Sequence, residues 1–364
     1  MFKKALFPGK YIQGSGAIHE VPALVQALGT RALLLASPSA LHSVLPRAGV
    51  ALDAQTMRVE AFRGECCETE LARVSVLVAS QQVDVMIGMG GGKTIDTAKI
   101  VADRARVPAI IVPTIASTDA PCSGCAVVYS EGGVFEAVSY QRVNPAAVVV
   151  DLEIIAAAPT RFLVAGMGDA LATWFEARSC YGTQSMNECG GYSTRLGLSA
   201  ARLCYDTLLE YGVAAKADNA RHAVTPALDH IVEANTLLSG IGFESGGLAT
   251  AHSVHNGLTA EPGTHAFYHG EKVAFGALTG LHLAEAPADE IATVYAFCED
   301  VGLPTTMAEV GVGNADLERL LEVANKACAS DQPIHHEAGP VTPKRVLDAM
   351  LAADALGRRR KGHP

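Results

Sequence analysis

The chain has 364 residues, 49% hydrophobic and 18% charged, with 35 glycines and a single tryptophan. That composition supplies a sizeable core and excludes a disordered chain. Thirty-eight acidic against 28 basic residues give a net charge of −10, which weighs against nucleic acid as a partner.

The first ten residues carry lysines but only the short apolar stretch Ala5-Leu6-Phe7, so no secretory core is present there. No apolar run approaches the roughly 18 residues of a membrane span. A soluble, cytoplasmic chain with no membrane partner is expected. Nine cysteines at irregular spacing form no disulfide framework, and reduced thiols are expected.

Apolar runs of strand length occur at Ala32–Ala36, Val83–Met89, Ala109–Val112 and Ala146–Val150, separated by helical-period segments at about Glu70–Gln81 and Thr94–Ala105. Runs of this kind are buried parallel strands, and an open, Rossmann-like sheet with helices on both faces follows. From about Pro159 the texture changes to Ala, Leu and Glu at helical spacing, with breaks at Gly190-Gly191, Gly240–Gly247, Pro262-Gly263 and Gly302–Pro304. The expectation is an α/β domain over residues 1–158 and an all-α domain over 159–364. The closing run Arg358-Arg359-Arg360-Lys361 reads as a solvated tail without function.

Between the second apolar run and its following helix lies Gly88-Met89-Gly90-Gly91-Gly92-Lys93-Thr94. Glycines that open a helix let backbone N–H groups approach a phosphate, and the helix N-terminus adds a favourable dipole. The loop matches neither standard pattern. Counting back five from Gly92 reaches Ile87, which excludes a P-loop, and G-x-G-x-x-G meets Lys93 at its third position.

Thr114-Ile115-Ala116-Ser117-Thr118-Asp119-Ala120-Pro121-Cys122-Ser123 follows a strand end, where open α/β sheets place ligands. Its hydroxyls suit sugar or phosphate oxygens, and Asp119 suits a substrate hydroxyl; a surface turn cluster is the alternative. Cys122 and Cys125 form a C-x-x-C that lacks a second pair and reads as coincidence.

In the second half, Asp169 follows Gly166-Met167-Gly168, and His252, His255 and His269 stand out against an apolar background. One carboxylate with two imidazoles suits a catalytic zinc site with an open position. The same residues also allow a helix N-cap at Asp169 and hydrogen-bonded core histidines. His255, one turn from His252, reads as a supporting residue rather than a ligand.

Taken in order, these segments resemble the metal-dependent, "iron-containing" alcohol dehydrogenase superfamily. The likeness runs through Pro8–Gly14, the glycine segment 88–99, Pro113–Ser123, Gly168–Ala177, Gly242–Leu248, Ala251–Thr259 and His269–Gly276. It implies a dehydroquinate synthase-like architecture, with an α/β dinucleotide-binding domain before a helical metal- and substrate-binding domain. It also implies NAD as cofactor, one zinc ion per subunit held by Asp169, His252 and His269, and a homo-oligomer, often an octamer. A fourth ligand common among relatives falls on Thr173, and its loss favours zinc over iron.

The resemblance places the dinucleotide over Gly91, Gly92, Lys93, Asp96, Thr114 and Ser117, with Ser123, Cys125 and Tyr129 beside the nicotinamide. It assigns a substrate hydroxyl to Asp119. The proton reaches solvent by water or a nearby group, and His255 is the candidate relay. Where relatives end the first strand with an aspartate for the adenosine ribose, this chain has Ser37. Serine lacks the charge that repels a 2′-phosphate, so strict preference for NAD over NADP is open.

The implied chemistry is reversible oxidation of glycerol at C2 to dihydroxyacetone in a cleft between the domains. Other small vicinal diols or hydroxyketones fit the same chemistry. A dehydroquinate synthase-like lyase is a second reading; it would need a basic cluster for a phosphorylated acid, which the expected cleft lacks. A binding protein without turnover is the third.

Overall fold

The structure, a computed structural model, describes residues 2–49 and 56–362. Among them eight strands form: β1 (Tyr11–Gly14), β2 (Ala32–Ala36), β3 (Met57–Ala61), β4 (Val85–Gly90), β5 (Ala109–Pro113), β6 (Cys125–Tyr129), β7 (Phe135–Tyr140) and β8 (Ala147–Asp151). Six make one parallel sheet in the order β1-β8-β5-β4-β2-β3, and β6 and β7 pair as a separate antiparallel hairpin. The four strands expected from apolar runs are the four interior ones, buried at every residue. The edge strands β1 and β3 escape that signal because their residues are half-buried or exposed in large part.

Helices α1 (Val21–Leu28), α2 (Leu45–Ala48), α3 (Glu68–Ser80), α4 (Gly92–Ala105) and α5 (Leu152–Ala156) accompany the sheet. Val21, Leu24 and Val25 of α1 pack on Leu34, Ile87, Ile110 and Val149. Burial of each such side chain is worth about 1.5–3 kcal/mol. From β2 the chain runs outward to β3, then returns to β4 on the other side of β2 and continues through β5 to β8. The order therefore reverses between β2 and β4, and the crevice beyond their carboxyl ends is where such sheets hold ligands.

The remaining helices are α6 (Thr160–Thr183), α7 (Arg195–Asn219), α8 (Pro226–Glu233), α9 (Ser239–Gly246), α10 (Thr250–Leu258), α11 (His269–Leu283), α12 (Ala288–Val301), α13 (Leu317–Ala327) and α14 (Pro343–Arg360). The compact units interleave along the chain. One holds Leu6–Phe162 and Asp218–Gly240; the other holds residues 2–5, Leu163–Ala217 and residues 241–362. A linear division at residue 158 differs from this chiefly by the placement of residues 2–5 and the return of Asp218–Gly240. That return is pinned by Asn219 Nδ2 donating to Ile155 O (3.2 Å) and Asn235 Nδ2 donating to Ala116 O (3.0 Å). The helical remainder otherwise follows the expected α/β-then-α order.

Three local expectations change. Gly240, Gly242 and Gly246 lie within α9 rather than in a break. Asp169 sits inside α6, which begins nine residues earlier, so it is not a helix cap. The terminal basic run is no loose tail either, since Arg360 makes a bidentate pair with Glu299 (2.8 Å) and Lys361 pairs with Glu309. All nine cysteines are free thiols, and no helix among the described residues is long and apolar enough to cross a membrane.

Candidate active site

In the sheet-containing unit the expected cofactor residues gather at the carboxyl ends of β2, β4 and β5 and on the hairpin. Ser37 follows β2, with its N–H donating to Met89 O (2.9 Å) and its Oγ accepting from Ala40 N (3.2 Å). Gly91 is extended and precedes α4; Gly92 and Lys93 form the first turn of that helix. Thr114 N donates to Gly90 O (3.0 Å), which ties the loop after β5 to the glycine loop. Lys93 pairs with Glu65 (2.5 Å) and lies 5.2 Å over the Tyr129 ring. Burial pushes the Tyr129 phenol up, reinforced by Asp96.

Other members of the set are committed to holding the loops in place. Asp96 accepts from Val127 N (3.0 Å) and pairs with the buried Lys99 (3.1 Å). Lys99 Nζ in turn donates to Ala120 O (2.9 Å) and Cys125 O, so one buried ammonium gathers the segment carrying Asp119, Ser123 and Cys125. Ser123 is fully buried, its hydroxyl directed at Ala120 O (3.3 Å), and Cys125 Sγ lies 3.5 Å from Ser123 Oγ. Asp119 is buried and accepts from Ser239 Oγ (2.8 Å). Lys99 and Ser239 were not among the expected residues; a lysine three residues after Asp96 and set among Ala98, Ile100, Val101 and Ala102 was the available signal for the first.

The helical unit brings Asp169, His252 and His269 together from three helices. α11 is buried nearly all round and occupies the centre. Two of its glycines set the geometry. A Cβ on Gly270 would lie 1.8 Å from Ala165 O of α6, and one on Gly276 would lie 2.3 Å from Ala251 O of α10. Only glycine allows both backbone contacts, and each falls beside a candidate ligand. Glu271 Oε2 accepts from Tyr268 N (2.7 Å), closing the first turn of α11 so that His269 opens it.

The candidate ligand atoms all lie within 4.8 Å of one another. Asp169 Oδ1 stands 3.5 Å from His252 Nε2 and 3.1 Å from His269 Nε2. Ligands about 2.0–2.1 Å from a tetrahedral ion stand about 3.3 Å apart, so these spacings fit one. The side chains are 1%, 13% and 35% exposed in the order Asp169, His252, His269, so the cluster opens on the His269 side.

Hydrogen bonding makes all three atoms acceptors. His252 Nδ1 donates to Glu176 Oε2 (2.6 Å), which leaves a lone pair on Nε2. Asn256 Nδ2 donates to Gln332 Oε1 (2.8 Å), so Asn256 Oδ1 accepts from His255 Nδ1 (3.0 Å). His255 Nε2 is then an acceptor, His269 Nδ1 donates to it (3.0 Å), and His269 Nε2 keeps its lone pair. Two lone pairs thus converge on a buried carboxylate, an arrangement that demands a cation.

The titration behaviour agrees. Burial alone would push Asp169 up, but His269 and His252 outweigh it and hold the carboxyl well below the usual carboxylate range. Burial likewise disfavours charge on His252, yet Glu176 and Asp169 raise it well above the ordinary histidine value. Burial, then His269, Lys272 and His252, push His255 well below the ordinary value and keep it neutral. Glu176 was not expected from the sequence; its signal was a place two helical turns after Asp169.

Residues 8–152 match the family described as iron-containing alcohol dehydrogenase. The whole chain is 50% identical over 362 residues to a glycerol dehydrogenase of Thermotoga maritima, covering 99% of each. This chain belongs to the iron-containing alcohol dehydrogenase family. Another relative, a glycolaldehyde reductase of Halobacterium salinarum, is 44% identical, with 97% of each chain covered. A solved structure of a probable glycerol dehydrogenase from Sinorhizobium meliloti superposes with a TM-score of 0.93 at 44% identity, covering 98% of this chain and 99% of that one. The parallel sheet and helical remainder are thus those of the family.

Proposed function

We propose that the protein is an NAD-linked, zinc-dependent polyol dehydrogenase that interconverts glycerol and dihydroxyacetone. The observation that carries this reading is the convergence of three acceptors, from Asp169, His252 and His269, at the spacing of a tetrahedral ion. The end-to-end identity with a glycerol dehydrogenase supplies the substrate class. Bound zinc supplies Lewis acidity toward a substrate hydroxyl, and bound NAD+ supplies the hydride acceptor.

The chain's own residues do the rest. Asp169, His252 and His269 would hold the ion, in a cluster exposed on the His269 side. Gly91, Gly92 and the N-terminus of α4 hold the pyrophosphate through backbone N–H groups. Thr114 and Ser117 bind along the dinucleotide, and Ser123, Cys125 and Tyr129 flank its nicotinamide half. Asp119, oriented by Ser239, accepts a hydroxyl next to the reacting carbon and so favours vicinal diols. His255 fixes the tautomer of His269 through Nε2 and so orients that ligand.

The glycolaldehyde reductase relative favours one second reading, reduction of a small hydroxyaldehyde at the same site. Purified protein with Zn²⁺ and NAD+ is expected to generate reduced nicotinamide absorbance with glycerol and with 1,2-propanediol. No signal with either refutes the leading reading. Faster oxidation of NADH with glycolaldehyde than with dihydroxyacetone establishes the second.

A further inference from the structure

We infer that Glu176 is a positioning residue for the metal centre, fixing the tautomer of His252 and capping the helix that carries it. The inference rests on the metal assignment proposed above.

Glu176 lies in α6, seven residues after Asp169, and seven residues at 100° each return to the same face two turns on. One face of α6 therefore offers two buried carboxylates to α10. Asp169 faces His252 Nε2, whereas Glu176 faces Nδ1 of the same ring. The imidazole is held from both sides by one helix.

Glu176 uses both oxygens. Oε2 accepts from His252 Nδ1 (2.6 Å), and Oε1 accepts from Ala249 N (2.9 Å) and His252 N (3.0 Å). Ala249 is the N-cap of α10 and has no side chain able to cap it, so Glu176 satisfies these first-turn donors from another helix. Three N–H donors on one carboxyl group require an acceptor-only carboxylate. The donor at Nδ1 obliges His252 to present a lone pair at Nε2. With Asp169, the site then carries two negative charges, which match a divalent cation.

This geometry makes Glu176→Gln a specific test. The two backbone N–H groups cannot reverse, so the amide oxygen stays with them and the amide NH₂ faces His252 Nδ1. The NH₂ donates there, the ring proton moves to Nε2, and Nε2–H donates to Asp169. The two backbone N–H groups and both ring nitrogens stay paired, so the metal-free fold is kept while ligation through Nε2 is blocked.

The full-length protein is stripped of metal and titrated with Zn²⁺ against a competing chelator, alongside thermal unfolding of the metal-free form. Glu176→Gln is expected to weaken Zn²⁺ binding by about 10–100-fold with the metal-free unfolding midpoint unchanged or raised. Glu176→Asp, which keeps the charge, is expected to recover part of that affinity. Unchanged Zn²⁺ affinity in Glu176→Gln overturns the inference. So does a loss of affinity matched by an equal loss of metal-free stability in both variants, which indicates a structural cap alone. His252→Ala separates this failure from that of the parent reading: if it also leaves Zn²⁺ binding intact, the metal assignment itself is wrong.

Discussion

The two compact units build their candidate sites by different means. In the sheet unit, Ser37, Gly91–Lys93 and Thr114–Ser117 each directly follow a strand, so a parallel sheet with its order reversed between β2 and β4 delivers them together. In the helical unit, Asp169, His252 and His269 come from three helices and meet because glycine removes the side chains that would hold those helices apart. The first arrangement is local and tolerates change in the loops. The second depends on tertiary contact, so its ligands are as stable as the packing around them.

Metal removal gives the largest expected contrast. An ion bound only by the folded helical unit stabilises by about 4 kcal/mol when its free concentration is 1,000 times its Kd. Thermal unfolding with and without chelator should show that loss, with activity abolished. An unchanged midpoint would refute an ion-dependent helical unit.

Two glycine substitutions come next and separate the units. Gly270→Ala places a methyl 1.8 Å from Ala165 O, and the resulting strain is expected to cost about 1–3 kcal/mol or more and to weaken metal binding with it. Around Gly92 a Cβ meets nothing within 4 Å, so Gly92→Ala is expected to change stability by less than about 0.5 kcal/mol. Its methyl instead enters the space assigned to the pyrophosphate, and NAD+ affinity should fall on the order of tenfold. Denaturant unfolding and cofactor titration of both variants check the pair. Equal effects on stability would erase the distinction.

The same difference explains what could be read from sequence. Leu33–Ala36, Val85–Met89 and Ile110–Val112 announce interior strands because burial on both faces forbids polar residues. β1 and β3 have one edge or face open and lose that constraint. Asp169, His252 and His269 were legible as residue types, but spacings of 83 and 17 residues carry no geometry, and only resemblance to a family joined them. Glu176 had only its place two helical turns after Asp169 as a signal, because a glutamate in a helix resembles any other glutamate until its partners are known. The interleaved return of Asp218–Gly240 was hidden for a related reason: helical periodicity shows which face is apolar, not which unit it packs against.

Ser37 supplies the sharpest test of the sheet unit. Its N–H donates to Met89 O across the reversal between β2 and β4, and its hydroxyl already accepts from Ala40 N, a contact an aspartate carboxylate can replace. Ser37→Asp should therefore fold normally while placing a negative charge at the end of β2. A 2′-phosphate beside that charge is repelled, whereas the 2′-hydroxyl of NAD+ gains an acceptor. The ratio of kcat/KM for NAD+ over NADP+ is expected to rise by about 5–30-fold, one to two kcal/mol, with metal content unchanged. Because the substitution lies in the unit that holds no metal ligands, a change in bound zinc would contradict the separation of roles between the units. An unaltered cofactor ratio would instead remove the adenosine ribose from the end of β2.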